Sequence, residues 1–141
     1  MAGFLLDTNV LSEFARVMPA DARVDGWLKK ASEDLLFVSV LTSAEIRRGI
    51  ELLPEGKRRI QLEEWHGDIE ESFADRLLPV TKAIGDRWAI LSAQAQRAGI
   101  PLAIMDGFIA ATAMEHKLTL ATRNVKDFAG LSATVFNPWQ S

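Results

Sequence analysis

The chain contains no cysteine and only two histidines, His66 and His116, among its 141 residues. A thiolate or polyhistidine zinc site is therefore out of reach. Any bound ion would have to be a hard cation held by oxygen, such as magnesium or manganese. No apolar run approaches the ~20 residues of a membrane span. The N-terminus MAGFLLD lacks a basic region, and an acid interrupts its apolar run at once, so no signal peptide is expected there. The absence of cysteine fits a cytoplasmic protein, the localisation expected here. Neither GxGxxG nor GxxxxGK[ST] occurs, which removes the phosphate cradles of dinucleotide and P-loop folds. A net charge of −3 argues against a generally basic, sequence-indifferent nucleic-acid binder and leaves room for a local basic groove. No internal repeat, low-complexity tract or linker interrupts the chain.

Hydrophobic residues make up 48% of the sequence, enough for a real core at this length. Five short runs rich in Val, Leu, Phe and Thr read as strands: FLL near the start, LLFVSV at 35–40, LLPV at 77–80, LTLAT at 118–122 and ATVF at 133–136. Between them, apolar residues recur at helical spacing. Val24, Trp27, Leu28 and Ala31 form one such face; Ile46, Ile50 and Leu53 form another. Leu62, Trp65, Ile69 and Phe73, and then Ile84, Trp88, Leu91 and Ala95, form two more. A further helix is expected from about Asp106 to His116. Strands alternating with helices predict the α/β class, with a mostly parallel sheet covered by helices. Ligands of such sheets bind beyond the carboxyl ends of the strands.

Three carboxylates fall at that edge. In LLDTNVLSEF, Asp7 ends a strand pattern and opens a helix pattern. Glu45 is expected in the first turn of the helix after LLFVSV, and Asp106 opens DGFIAATA. Each has an ordinary structural explanation. Asp7 and Asp106 suit helix N-caps, and Thr42-Ser43-Ala44-Glu45 matches a capping box. As a set they are harder to explain that way. Like charges ~5 Å apart repel by about 3 kcal/mol at an effective dielectric near 20, so converging acids call for a cation.

LLDTNVLSE, the Glu of SVLTSAEIRRGI, the Asp of AIMDGFIAATA, and TLATRNVKDF followed by VFNPW occur in the order of a PIN-domain nuclease. From Phe4 to Trp139 the chain resembles the VapC-type toxins of bacterial toxin–antitoxin pairs, close to their FitB-like branch through the FNPW ending. The resemblance implies one PIN domain over residues 1–141, with a central parallel sheet flanked by helices on both faces. It implies a metal-dependent endoribonuclease whose first three acids are Asp7, Glu45 and Asp106, holding Mg2+ or Mn2+. At the fourth position many members carry Asp, whereas this chain has Asn124, and Asp127 competes for that role three residues on. The implied partners are an RNA substrate and a small cognate antitoxin whose tail blocks the acidic pocket with a basic side chain. A homodimer is expected as well, because the apolar helical faces carrying Trp27 and Trp65 are generous for a monomer of this size.

Around the acids, Thr8, Asn9 and Ser12 are placed to hydrogen-bond and orient them, or simply to stabilise a helix start. Thr122 is placed to orient a metal-bound water, though a strand threonine needs no such role. Arg47, Arg48 and Arg123 are the candidate RNA phosphate contacts; Lys57, Arg58, Arg59 and Arg87 read mainly as solvated helix faces. Trp27, Trp65 and Trp88 lie on apolar stripes and are expected in the core or an interface. His66 and His116 lack a neighbouring Ser or Cys in the sequence, so no catalytic triad is expected. The competing function is a non-catalytic PIN-like module that binds RNA or protein, suggested by the incomplete acid set. A phosphatase signature would need a second Asp where Asn9 stands, and a receiver domain an acidic pair near its first strand.

Overall fold

The computed structural model describes residues 3–15 and 21–140. All five expected strands form, four of them shorter than their apolar runs: β1 (Phe4–Leu6), β2 (Leu36–Ser39), β3 (Leu77–Leu78), β4 (Thr119–Ala121) and β5 (Val135–Phe136). Every pairing is parallel, in the order β3-β2-β1-β4-β5, which puts β1 at the centre. In register, Leu5 stands opposite Phe37 on one side and Leu120 on the other. Six α-helices connect the strands: α1 (Thr8–Leu11), α2 (Ala22–Lys30), α3 (Val40–Glu51), α4 (Lys57–Ser72), α5 (Lys82–Arg97) and α6 (Ile104–Glu115).

Because successive strand side chains point to opposite faces, the central strand feeds two cores. Leu6 joins Val10, Leu11, Val24, Val38, Ile46 and Ile50, on the side of α1 to α4. Leu5 joins Leu91, Ile109, Ala113 and Leu120, on the side of α5 and α6. Both faces of the sheet are covered, as all-parallel sheets require. No helix among the described residues is long and apolar enough to cross a membrane.

Two helix starts differ from expectation. Thr42 is no N-cap: α3 begins earlier, at Val40, capped by Ser39, whose Oγ accepts from the Leu41 N–H at 3.0 Å. Glu45 is therefore in the second turn, and Thr42 is fully buried inside the helix. The β-run LLFVSV ends one residue early because Ser39 can satisfy a first-turn amide, which favours helix over further strand. Likewise α6 starts at Ile104, so Asp106 lies within its first turn rather than capping it. The N-cap residue Ala103 offers no side-chain bond.

Trp27 is spent inside the molecule. Its ring meets Phe4 edge-on at 5.0 Å between centroids and Phe136 at 5.4 Å. Trp65 packs, partly buried, against the same core. Neither face argues for a second copy once these contacts are counted. In LLDTNVLSEF the spacing of Val10, Leu11 and Phe14 predicts one side of a helix; Val10 and Leu11 are buried there, and the Phe14 side chain lies outside the described residues.

Arg76 ties the outer part of the sheet together. Its guanidinium donates to the carbonyls of Glu33 (2.6 Å), Leu36 (2.8 Å) and Ser72 (2.7 Å) and lies 4.7 Å from the centre of the Phe73 ring. Its own carbonyl accepts from Val38 N at 3.1 Å, at the start of the β2–β3 pairing. Three charge-assisted bonds from one buried fork cannot be replaced by a smaller side chain. Arg76→Ala should destabilise the fold by about 3 kcal/mol in urea unfolding, and Arg76→Lys should recover only part of that. A loss below about 0.5 kcal/mol for Arg76→Ala would show that the carbonyls are satisfied by water instead.

Candidate acidic site at the carboxyl edge of the sheet

Asp7 directly follows β1 and performs several tasks at once. Its N–H extends the ladder to Ala121 O at 3.0 Å, and its carbonyl accepts from Val10 and Leu11 at 3.1 and 3.0 Å. One carboxylate oxygen, Oδ1, caps α1 by accepting from Thr8 N at 2.9 Å. The other, Oδ2, accepts from Thr122 Oγ1 at 2.7 Å and, weakly, from Asn9 Nδ2 at 3.4 Å. Asp7 is only 9% exposed.

The direction of the Thr122 bond follows from counting donors. Thr122 is fully buried at the end of β4, and its oxygen accepts from Asn124 N at 3.0 Å and from Asn9 Nδ2 at 3.3 Å. With both lone pairs engaged, its single hydrogen is left for Asp7. Asn9 completes the loop by accepting from Arg123 N at 3.0 Å through Oδ1. Thr122 and Asn9 thus hold the Asp7 carboxylate and join β1, α1 and the segment after β4. Thr8 bridges towards Glu45 Oε1 at 3.4 Å, a weak bond, whereas Ser12 makes no side-chain bond to the acids.

Glu45 from α3 and Asp106 from α6 approach from opposite sides of the sheet. Partial burial and the nearby charges of Asp7 and Asp106 push the Glu45 carboxyl above its ordinary pKa, against a small opposing effect of the Thr8 hydroxyl. Partial burial and then the charges of Asp127 and Asp7 push Asp106 upward as well. Asp127, on the 3-10 turn Val125–Phe128, therefore bears electrostatically on Asp106. Asn124 caps that turn without a side-chain bond and is exposed.

None of the ion pairs among the described residues involves Asp7, Glu45, Asp106 or Asp127. Glu45 feels the charges of Asp7 and Asp106, and Asp106 those of Asp127 and Asp7, with no ion pair to a basic side chain among the described residues. That chemistry fits a hard divalent cation. The side chains are not closed around one: among the described residues, no three Asp, Glu, His or Cys groups already stand as a ligand set. The fit is one of charge and donor type, with ligands still to be drawn together.

The basic residues divide into committed and available ones. Arg47 is paired with Glu51 at 2.6 Å, Arg59 with Glu51 and Glu63 at 2.6 and 2.8 Å, and Arg87 with Glu115 at 2.8 Å. Arg48, Lys57 and Arg58 are exposed with no ion pair among the described residues. Arg123 is exposed beside the Asp7–Asn9 network, its guanidinium 5.1 Å from the centre of the Trp139 ring.

His66 lacks a serine beside it in the sequence but gains one in the fold: Ser43 Oγ lies 3.0 Å from its Nε2, and Ser43 Oγ also donates to Glu70 Oε2 at 3.3 Å. The trio is not a hydrolytic triad. Both Ser43 and His66 are buried, Glu70 Oε1 stands 3.6 Å from Nδ1, and Nε2 also faces the Ser43 carbonyl at 3.1 Å. It clasps α3 to α4. The spacing of His66 and Glu70 by one helical turn was readable in the sequence; the serine, 23 residues away in a different helix, was not.

A family model described as PIN domain matches residues 4–132. The chain is 40% identical over 139 residues to Toxin FitB from Neisseria gonorrhoeae, covering 96% of this chain and 97% of that one. It is 36% identical over 137 residues to VapC ribonuclease Y4jK from Sinorhizobium fredii, with the same coverage of 96% and 97%. The crystal structure of FitAcB from Neisseria gonorrhoeae superposes with a TM-score of 0.90 at 40% identity, covering 98% of this chain and 99% of that one. Other solved chains with this fold, at lower identity, come from toxin–antitoxin systems.

The electrostatics make a prediction independent of any activity. Asp106 is raised above 3.8, so its ionisation opposes folding as pH rises through the folded value, and below pH 3.8 it is neutral in both states. Without divalent cations, Asp106→Asn should raise the melting temperature at pH 7 by on the order of 1–2 °C. The gain should vanish near pH 3, and magnesium or manganese should stabilise the wild type more than the variant. An Asp106→Asn melting curve at or below the wild type at pH 7 would show that neither burial nor neighbouring charge penalises this carboxylate.

Proposed function

The chain belongs to the PIN-domain family, in the FitB-like branch of the VapC-type proteins, and from that premise we propose that it is a metal-dependent endoribonuclease, the toxin of a toxin–antitoxin module. In this reading residues 1–141 form one PIN domain that works in the cytoplasm. The observation that carries it is the convergence of Asp7, Glu45, Asp106 and Asp127 near the carboxyl edge of the sheet, none of them in an ion pair among the described residues. Kinship with a protein named as a VapC ribonuclease supports RNA as the substrate.

Asp7 and Asp106, with help from Glu45, would hold Mg2+ or Mn2+. When bound, such an ion neutralises charge on a phosphodiester and makes water a better nucleophile at neutral pH. The chain's own residues supply the rest. Thr122 and Asn9 keep Asp7 oriented. Glu45, the most open of the first three acids, orients the attacking water and takes its proton as the water oxygen bonds to phosphorus in line with the departing ester oxygen. Asp127 is the better candidate for the fourth acid, since its charge acts on Asp106 while Asn124 offers only a neutral amide. Arg48 and Arg123 are free to meet RNA phosphates, and Arg47 would first have to leave Glu51. No covalent nucleophile is required.

A nuclease of this kind must be silenced in its host. A small cognate antitoxin offering a basic side chain to the unpaired acids would do so, and Toxin FitB as a relative supports that partner. A homodimer is suggested by Ile90 and Ile104, exposed at 61% and 67% on the α5–α6 side. The open arrangement of the acids favours one other reading, a PIN-like module that binds RNA without cutting it.

Purified protein incubated with tRNA, rRNA and mRNA should cut with magnesium or manganese and not with EDTA. Asp7→Asn and Asp106→Asn should each lower cleavage by about 100-fold or more while remaining folded, since each removes a charged ligand. RNA bound at equal affinity but left intact under every metal condition would establish the non-catalytic reading. Asp127→Asn should weaken Mn2+ binding more than Asn124→Ala; the reverse order would return the fourth position to Asn124.

A further inference from the structure

The first turn of α6 carries Asp106 but has little of its own to hold it. Its N-cap, Ala103, provides no side-chain hydrogen bond, and Ile104 beside it is 67% exposed. The charges of Asp7 and Asp127 act on Asp106 from neighbouring elements. A helix end that is uncapped and bears a repelled carboxylate needs a tertiary contact to stay in place.

That contact comes from α5. A Cβ added to Gly107 would lie 2.9 Å from both Cδ1 and Nε1 of Trp88, and 3.5 Å from Leu102 Cδ2. The missing side chain of Gly107 is thus the notch in which the Trp88 indole sits. The same ring lies flat on Phe108, with 4.7 Å between centroids and 6° between planes. Trp88 therefore grips the two residues that follow Asp106, one by close approach and one by stacking. Gly107 is an ordinary helical residue with no positive φ, so its glycine is explained by the close approach alone.

We propose that Trp88, seated in the Gly107 notch and stacked on Phe108, is a positioning residue that sets where Asp106 stands relative to Asp7. The inference rests on the proposed role of Asp106 for its effect on cleavage, and on packing alone for its effect on structure. A rigid indole cannot yield the few tenths of an ångström that a flexible side chain would. A methyl at Gly107 displaces either the ring or the first turn of α6, and Asp106 moves with that turn.

The test uses the full-length protein with Gly107→Ala, Trp88→Leu and the double variant, each checked for a cooperative melt. Gly107→Ala should shift the Asp106 Cα away from Asp7 in a crystal structure, weaken Mn2+ binding in calorimetry and lower kcat on RNA by on the order of 10- to 100-fold, with KM within about twofold. The double variant should regain kcat and Mn2+ affinity to within about threefold of Trp88→Leu, because the shorter side chain vacates the notch. Trp88→Leu alone, which adds no clash, should also lose kcat and Mn2+ affinity, and reports even if Gly107→Ala does not fold. An unmoved Asp106 with unchanged Mn2+ affinity in Gly107→Ala, or a double variant no better than Gly107→Ala, would overturn the proposal. A displaced Asp106 with undiminished cleavage would instead uphold the clamp and remove Asp106 from the proposed catalytic set.

Discussion

Much of the molecule turns on one buried hydrogen bond, from the Thr122 hydroxyl to Asp7 at 2.7 Å. It links the ends of the two adjacent central strands, β1 and β4, at the point where both chains leave the sheet. A carboxylate as enclosed as Asp7 is tolerated because backbone and side-chain donors meet both of its oxygens. The cap on α1, the turn through Asn124 and the seat of Asn9 all depend on the same few atoms. The central acid is thus fixed as a consequence of folding, before any ligand arrives.

The other acids are held differently. Glu45 and Asp106 reach the edge from helices on opposite faces of the sheet, α3 and α6, so their positions depend on how those helices pack. On one side, α3 is clasped to α4 through Ser43 and His66. On the other, α6 is gripped by the indole of Trp88. Packing in two separate cores holds these carboxyls where partial burial and then neighbouring negative charge raise them.

Burial also explains which residues make poor evidence for function. Trp27 lies on an apolar stripe broad enough to suggest a partner, yet Phe4 and Phe136 cover it from the chain's own strands. Arg47 and Arg59 follow the second acid in sequence, yet both neutralise Glu51. Arg123, adjacent to the network and resting on Trp139, has the combination of exposure and support that a phosphate contact needs.

The α/β class, all five strands and the longer helices could be read from the sequence, because burial on both faces of a parallel sheet leaves dense apolar runs and burial of one helix face leaves a 3.6-residue period. The positions of Asp7 and Glu45 were legible for a related reason: each follows a strand run, and parallel strands deliver their ends to one edge, whereas Asp106 follows α5 and reaches that edge through the packing of α6. Helix starts were not, since Ser39 and Thr42 are both competent caps and only the packing of α3 against the sheet chose the earlier one. The partners of His66, the notch that receives Trp88 and the approach of Asp127 to Asp106 join residues of different elements, and no periodicity records such distances. Local pattern determined which residues could serve at the edge. Tertiary packing alone decided how closely they meet, because the interior is dense enough that a single absent methyl, at Gly107, sets the place of a helix.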